Sequence, residues 1–429
     1  MTITTEGVAT VATETAKPTS SILEVTGLGK AYGRVPRGRS TSAGTDPTAT
    51  ASIAIASARR NGRIAEVPLA VQDVSFALEP GEFFTLLGPS GCGKTTTLRC
   101  IAGLETPTTG RIAVGDRTLY DADQRVNVPA SDRRLGMVFQ SYAIWPHMSV
   151  FKNASFPLEV MPRRERPAKA EIARRVREAL RATELTAFEK RSATAMSGGQ
   201  QQRLALARGL VINPQLLLLD EPLSNLDAKL RDTMRFELKR LQHEYGITMV
   251  YVTHDQTEAL TLSSRIAVMN KGRIVQIGNP REIYENPRSR FVADFVGVTT
   301  FLDGAIGSVT GQELQLTVPG FGSVVVRGSG IPSDLPLTHG GLLSASVRPE
   351  WVTLSEGRTD SGPNRWDGVV VARAFVGESV EHVVRVGDLE LRNRSNPAQS
   401  IPEDTPVQVS VDPARIAVVP MPDDDTKEN

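Results

Sequence analysis

The feature that most constrains this chain is a glycine-rich segment at residues 88–95, GPSGCGKT. It fits the pattern G-x-x-x-x-G-K-[ST], which chance produces in only about 1–2% of chains of this length. An apolar run, FFTLL, precedes the segment, and a stretch with helical spacing, TTTLRCIAGL, follows it. Because glycines let a backbone wrap closely around phosphates, a strand, this loop and a helix predict a phosphate-binding turn. We therefore expect an α/β fold built around a nucleotide site.

The side chains of this loop have separate expected roles. Lys94 should contact the β- and γ-phosphates of ATP, and the Thr95 hydroxyl should help to hold Mg²⁺. Positive potential at the following helix N-terminus also favours phosphate there. The residues predicted to bind the nucleotide are Gly88, Pro89, Ser90, Gly91, Cys92, Gly93, Lys94, Thr95 and Thr96.

An acidic pair follows a second apolar run, in LLLLDEP at 216–222. A carboxylate at a strand end beside a phosphate-binding loop is placed to hold Mg²⁺, which we assign to Asp220. Glu221 is then placed to orient or deprotonate the attacking water. Asp-Glu after an apolar run is commonly only a surface cap, so the glycine-rich loop is what favours the metal site.

A second candidate anion site lies at residues 196–203, MSGGQQQR, before the helical stretch LALARGLV. Ser197 is a candidate N-cap, and two glycines expose N–H groups at the helix start. One nucleotide already has its phosphates bound at 88–95. The second site therefore makes sense if it serves a nucleotide held by another copy of the chain.

The remaining pattern indicates two folded domains. Apolar runs at 215–220 and 247–254 flank an amphipathic helix at 227–246, which predicts a parallel sheet covered on both faces. A surface helix is expected within 165–190. After about residue 300, short alternating segments predict a small antiparallel barrel or sandwich. The expected organisation is a disordered N-terminus at 1–20, a nucleotide-binding domain at 21–300 with a flexible insertion or hairpin loop at 34–66, a β-barrel accessory domain at 301–420 and a disordered tail at 421–429.

Composition excludes several classes of function. The formal net charge of +1 argues against a nucleic-acid partner, and no apolar run approaches the roughly 18 residues that span a bilayer. The first twenty residues lack the pattern of a secretory signal. Cys92 and Cys100 are too few for a disulfide framework and are expected to be free thiols. Any work at a membrane should therefore pass through partner chains.

In chain order these motifs resemble the ATPase subunits of ABC importers, closest to the iron(III)/spermidine/putrescine group. The resemblance covers 21–33 and 67–300, and 301–420 resembles the family's accessory domain more loosely. It implies a P-loop NTPase ABC nucleotide-binding domain with a helical subdomain, followed by a small all-β, OB-like TOBE domain. Glu221, His254 in VTHD and Gln140 in VFQSYAIWPHMSV are then the catalytic residues, and Gln140 is also a Mg²⁺ ligand. Further implied nucleotide contacts are Tyr32, which stacks on adenine, the signature residues Ser197, Gly198, Gly199 and Gln200, and the D-loop residue Asp227.

The resemblance also implies how such a chain works. Two copies form a head-to-tail homodimer in which each ATP, with Mg²⁺, lies between one copy's P-loop and the other's signature. Dimer closure powers import of a small solute (ferric iron, a polyamine, a phosphonate or a sugar) through two transmembrane permease subunits. An extracytoplasmic solute-binding protein is an indirect partner, and no nucleic acid is. The expected location is peripheral, on the cytoplasmic face of the inner membrane.

Two other functions fit part of the pattern. A non-transport ABC ATPase of DNA repair or translation usually carries a long coiled-coil insertion or two ATPase units. Only about 100 residues separate Lys94 from Ser197 here, without sustained heptads, and the sequence has no second P-loop. An unrelated P-loop kinase would not need the MSGGQ segment.

Overall fold

A computed structural model describes residues 21–32, 57–60, 63–66, 69–333, 335–357 and 361–421. The disordered N-terminus predicted at 1–20, residues 422–429 of the tail predicted at 421–429, and most of the insertion predicted at 34–66 lie outside the described residues. Inside that insertion the backbone of Ser57–Arg60 pairs antiparallel with that of Arg63–Glu66.

The first 300 residues contain most of the helices and a mixture of parallel and antiparallel strands. The strands are β1 Leu23–Ala31, β2 Ser57–Arg60, β3 Arg63–Glu66, β4 Leu69–Leu78, β5 Phe83–Leu87, β6 Thr109–Val114, β7 Arg117–Asp121, β8 Val126–Asn127, β9 Gly136–Val138, β10 Leu216–Asp220, β11 Thr248–Thr253, β12 Arg265–Asn270 and β13 Arg273–Gly278. The helices are α1 Lys94–Ala102, α2 Val150–Glu159, α3 Lys169–Ala182, α4 Gly198–Leu210, α5 Ala228–Tyr245, α6 Gln256–Leu262, α7 Pro280–Glu285 and α8 Arg290–Phe295.

The central sheet has the strand order β13-β12-β5-β11-β10-β9. All its pairings are parallel except that of β13 with β12. Every residue of β5, β10 and β11 is buried, as their unbroken apolar sequences predict. The predicted parallel sheet is confirmed, and the carboxyl ends of β5, β11 and β10 meet at one edge. Ligand sites in such sheets lie at this edge.

A second sheet, of order β4-β1-β6-β7-β8, packs against the first. It is antiparallel throughout. Of its strands, the sequence pattern predicts only β1. The stacked rings of Phe76 on β4 and Phe84 on β5 lie 4.8 Å apart and join the cores of the two sheets. The two sheets therefore hold the loop after β5 between them.

The helical subdomain predicted by the resemblance consists of α2, α3 and α4, which share one hydrophobic core. The surface helix predicted within 165–190 is shorter than that range and covers Lys169–Ala182. Pro167 disfavours helical geometry at the residue before it, so the helix begins after the proline. Glu184 has a positive φ of 57°, and the chain leaves the helix there. The long helix α5 matches its prediction, with Asp227 as N-cap and Gly246 in the left-handed conformation at its end.

The C-terminal part is all β, as predicted. Its strands are β14 Thr300–Thr310, β15 Glu313–Val318, β16 Gly322–Arg327, β17 Leu342–Val347, β18 Val352–Ser355, β19 Arg365–Phe375, β20 Val380–Val386, β21 Leu389–Ser395, β22 Pro406–Val411 and β23 Ala417–Pro420. They form two five-stranded antiparallel sheets, β16-β15-β14-β17-β23 and β18-β22-β19-β20-β21, around one common core. Across the described ranges, no helix is both long enough and apolar enough to span a bilayer.

Candidate functional site

The glycine-rich loop turns tightly from the end of β5 into α1. Gly93 has a φ of 103°, and a Cβ atom there would lie 2.4 Å from the carbonyl oxygen of Ala70. A Cβ atom at Gly88 would lie 2.4 Å from the carbonyl oxygen of Met269. Real Cβ atoms do not make such contacts, so only glycine fits at both positions. The loop is thus packed against β4 and the end of β12, with its N–H groups at the start of α1.

Lys94 lies inside the loop that carries it and is only 4% exposed. Its Nζ donates hydrogen bonds to the carbonyl oxygens of Gly88, at 2.7 Å, and Pro89, at 2.9 Å. Burial raises the pKa of the nearby Cys92 thiol, although the positive charge of Lys94 opposes that shift. Cys92 is therefore a neutral packing residue, and the described structure contains it and Cys100 as free thiols, as predicted.

Thr95 and Asp220 are brought together from α1 and the end of β10. The Thr95 hydroxyl donates to Oδ1 of Asp220 at 2.9 Å, and Asp220 is 4% exposed. Burial raises the pKa of Asp220, while the Thr95 hydrogen bond and the charge of Arg99 counteract it. Hydroxyl and carboxylate oxygens are ligands that suit Mg²⁺, which commonly takes few protein ligands and completes its shell with phosphates and water. Both oxygens are present here, so the residues fit that ion.

Glu221 occupies a strained turn immediately after β10. Its φ is 43°, in the left-handed region that a non-glycine residue seldom adopts. Its Oε1 lies 3.3 Å from Nδ1 of His254, and its Oε2 accepts a hydrogen bond from Nε2 of Gln140 at 3.3 Å. Three residues predicted to be catalytic, from separate segments of the chain, therefore meet at one carboxylate.

Two residues of this cluster had no role assigned from the sequence, although both lie in the segment SNLD. The Ser224 hydroxyl donates to the carbonyl oxygen of Glu221 at 2.9 Å and lies 3.4 Å from Nε2 of Gln140. Asn225 donates to the carbonyl oxygen of Gln140 at 2.8 Å. These contacts hold the Gln140 backbone and side chain against the end of β10. Their proximity to Glu221 in the sequence is the signal that could have found them.

Another unassigned residue, Arg208 of α4, holds the turn after Gln140. Its guanidinium donates to the carbonyl oxygens of Tyr142 and Ala143, both of which have positive φ angles. It also lies over the Trp145 ring, 4.9 Å from the centroid. Burial lowers the pKa of Arg208 to about 10, so it stays charged at neutral pH. The helix that begins at Ser197 is thereby tied to the segment that follows Gln140.

Tyr32 lies beside the far end of the loop. Its hydroxyl is 3.3 Å from Oγ1 of Thr96, and Nζ of Lys30 is 5.0 Å from the centre of its ring. The residue is 52% exposed, so a ring face remains open next to the phosphate-binding turn. That placement is compatible with a base stacking on the ring.

The signature segment forms a separate helix start. Ser197 caps α4 in a reciprocal capping box with Gln200, so its predicted N-cap position is confirmed. A Cβ atom at Gly199 would lie 2.8 Å from a methyl group of Leu230, so a larger residue there would require that side chain to move. Asp227 caps α5 by accepting from the N–H of Leu230 at 2.9 Å. Within the described part of the chain, no hydrogen bond or ion pair joins residues 197–200 or 227 to the loop at 88–96.

Comparison with known proteins decides the family. The ABC transporter family matches residues 71–224, and the TOBE domain family matches residues 345–419. A spermidine/putrescine import ATP-binding protein from Acidothermus cellulolyticus is 48% identical over 316 residues, which are 74% of this chain and 79% of that protein. The chain belongs to the ABC transporter family of ATP-binding proteins. The predicted fold class and the predicted activity, ATP hydrolysis coupled to import, are thereby confirmed.

Two further known proteins are similar to part of this chain. A trehalose/maltose import ATP-binding protein from Thermococcus litoralis is 52% identical over 241 residues, which are 55% of this chain and 63% of that protein. A dimeric ATP-binding cassette solved with ADP and Pi is 29% identical, covers 60% of this chain and 99% of that one, and has a TM-score of 0.46.

Proposed function

We propose that this ATPase powers uptake of a polyamine, such as spermidine or putrescine, through two separate permease subunits. It would do so as a peripheral subunit on the cytoplasmic face of the inner membrane, with an extracytoplasmic binding protein delivering the solute. The observation that carries the role of ATP hydrolysis is the single cluster formed by Lys94, the Thr95–Asp220 pair and Glu221 with its two neighbours. The polyamine assignment is supported by the name of the Acidothermus relative, whose match includes most of both chains.

Nucleotide binding is assigned to the loop and to Tyr32. The N–H groups of residues 88–96 surround the phosphates. Lys94 gives up its hydrogen bonds to the loop carbonyl oxygens and binds phosphate oxygens instead. The adenine stacks on the half-exposed Tyr32 ring.

Thr95, Asp220 and Gln140 would hold Mg²⁺, which neutralises charge on the transferred phosphate when bound. A cation beside Asp220 favours the ionised carboxylate, which burial alone disfavours.

Glu221 orients and deprotonates the attacking water. Its two oxygens are held by Gln140 and His254, so the carboxylate has a fixed direction. His254 is 55% exposed on its side chain, and in its protonated form its Nε2–H can also donate to the γ-phosphate. The strained backbone of Glu221 is explained if the turn serves to aim this carboxylate.

The second nucleotide-binding surface is assigned to another copy of the chain. The start of α4 includes the exposed residues Ser197 and Gly198 and lies outside the cluster around Lys94. In a head-to-tail homodimer, residues 197–200 and Asp227 of one copy face the loop of the other. ATP then binds the closed dimer better than the open one, and this difference in affinity drives the motion of the permease.

A mixing experiment tests the composite site. A Lys94→Ala chain keeps its signature, and a Ser197→Arg chain keeps its P-loop. Each homodimer should be inactive, whereas a mixed dimer has one intact site. An equimolar mixture should therefore recover up to about a quarter of wild-type phosphate release, since half of the dimers are mixed. A mixture no more active than its components would contradict the head-to-tail arrangement.

A further inference from the structure

A hydrogen bond joins the helix that follows His254, α6, to the chain segment that leads into the all-β domain. Oε1 of Gln256, the first residue of α6, accepts from the N–H of Gly297 at 2.9 Å. Gly297 has a φ of 98°, and a Cβ atom there would lie 2.8 Å from the ring of Tyr284. The segment after α8 therefore passes close to α6 and α7 in a conformation that only glycine allows without strain.

The same segment is held from the other side by the all-β domain. Arg348 follows β17, is 1% exposed, and lies over the Tyr284 ring, 4.3 Å from its centroid. Its guanidinium donates to the carbonyl oxygens of Ala293 at 2.8 Å and of Val298 and Tyr284 at 3.2 Å. A guanidinium can contact several acceptors at fixed angles, so Arg348 docks the all-β domain onto α7, α8 and the residues after them. Gln256 and Arg348 thus hold the neighbouring residues Gly297 and Val298.

Gln256 is two residues from His254, and the intervening Asp255 caps α6. On the side that faces α5, Asp255 anchors this short helix: its Oδ2 lies 3.6 Å from a guanidinium nitrogen of Arg231 and from one of Arg235. Glu258 is buried and accepts from the hydroxyls of Tyr251 and Thr253. These contacts hold one side of α6 against α5 and β11, and the Gln256–Gly297 hydrogen bond holds the start of the helix toward the all-β domain.

We propose that Gln256 is a positioning residue through which docking of the all-β domain sets the position of His254 beside Glu221. The inference rests on the role of His254 given above. Loss of the Gly297 contact lets the start of α6 shift, and the distance from His254 to Glu221 then varies. The all-β domain thereby affects ATP turnover without contributing a residue to the nucleotide site.

The test replaces the acceptor and keeps the length of the side chain. Gln256 borders an open cleft of about 690 Å³, so the methionine of Gln256→Met has room. Removing one hydrogen bond of ordinary strength should lower kcat for ATP hydrolysis about fivefold and leave KM within about twofold. Gln256→Glu keeps an acceptor and should retain most of the turnover, and Thr257→Ala, at the exposed next position, should match the wild type. Melting temperatures of all variants identify any general loss of folding.

A second background separates positioning from a plain structural role. In a His254→Ala chain, Gln256→Met should cause no further fall, because the residue through which it acts is already absent. Arg348→Lys keeps the positive charge but loses the planar set of guanidinium donors, and it should lower kcat. The double variant Arg348→Lys/Gln256→Met should have the same kcat as Gln256→Met alone. The link between Gln256 and His254 would be overturned, with the role of His254 intact, by either of two results. One is an unchanged kcat in Gln256→Met, and the other is an equal fall in kcat when Gln256→Met is made in the wild-type chain and in the His254→Ala chain. Wild-type turnover in His254→Ala would overturn the role of His254 and the link with it.

Discussion

Replacement of Glu221 by glutamine tests the chemistry of the cluster with the least change in shape. The amide has the size of the carboxylate and can still accept one of the two hydrogen bonds that come from Gln140 and His254. It has no negative charge and cannot take a proton from water. Loss of a general base typically lowers a rate about 10²–10⁴-fold, which corresponds to roughly 3–5 kcal/mol in the barrier. We expect kcat for ATP hydrolysis to fall by that factor.

Nucleotide affinity should be preserved in the same variant. Glu221 has no described contact with the loop at 88–96, so the dissociation constant for ATP should stay within about threefold of the wild-type value. The uncleaved ATP should also hold the dimer closed, which size-exclusion chromatography with light scattering detects. Phosphate release at saturating ATP and fluorescent-nucleotide titration measure the two quantities, with Glu244→Gln at an exposed position of α5 as the control. Turnover of Glu221→Gln within tenfold of the wild type would refute the assignment of the base.

Three further changes test individual contacts. Thr95→Val removes a proposed metal ligand and should raise the Mg²⁺ concentration for half-maximal hydrolysis about tenfold, whereas Thr95→Ser should not. The same half-maximal Mg²⁺ concentration in both variants would contradict that role. Tyr32→Ala should raise KM for ATP about tenfold, because stacking on an aromatic ring contributes about 1–3 kcal/mol, and Tyr32→Phe should be neutral; an unchanged KM in the alanine variant would make Tyr32 a packing residue. Gly93→Ala places a Cβ atom against the Ala70 carbonyl and should lower the melting temperature more than Gly91→Ala, whose Cβ meets no atom within 4 Å; equal shifts would contradict the packing of the loop.

Much of the fold is predictable because its strands are buried on both faces. The runs at β5, β10 and β11 are mostly apolar without a polar alternation, and the parallel sheet follows from that pattern. β14 was not predicted, because Gly304 and Gly307 interrupt its apolar alternation, and glycine weakens a strand signal. Gly304 is needed because a Cβ atom there would lie 2.7 Å from the carbonyl oxygen of Thr317 on the paired strand.

The composition of the site is predictable from motif spacing, whereas its contacts are not. Spacing indicates that Lys94, Asp220 and Glu221 act together, but it gives no sign of the left-handed turn that directs Glu221 toward Gln140 and His254. Arg348 is a clearer case, since an arginine before a proline in VRPE suggests an exposed turn. The arginine is buried because backbone carbonyls from three distant residues converge on it. Such convergence depends on tertiary structure, which a local pattern does not contain.

The proposed function is tested most directly by solute uptake in the native host carrying Lys94→Ala. Labelled spermidine, putrescine, ferric iron, a phosphonate and a disaccharide would be supplied separately, with the wild-type chain returned as the control. The prediction is that spermidine or putrescine uptake is lost, that the wild-type chain restores it, and that the other solutes enter normally. Normal polyamine uptake with loss of another solute would contradict the polyamine assignment, and normal uptake of every solute would contradict a required role in import.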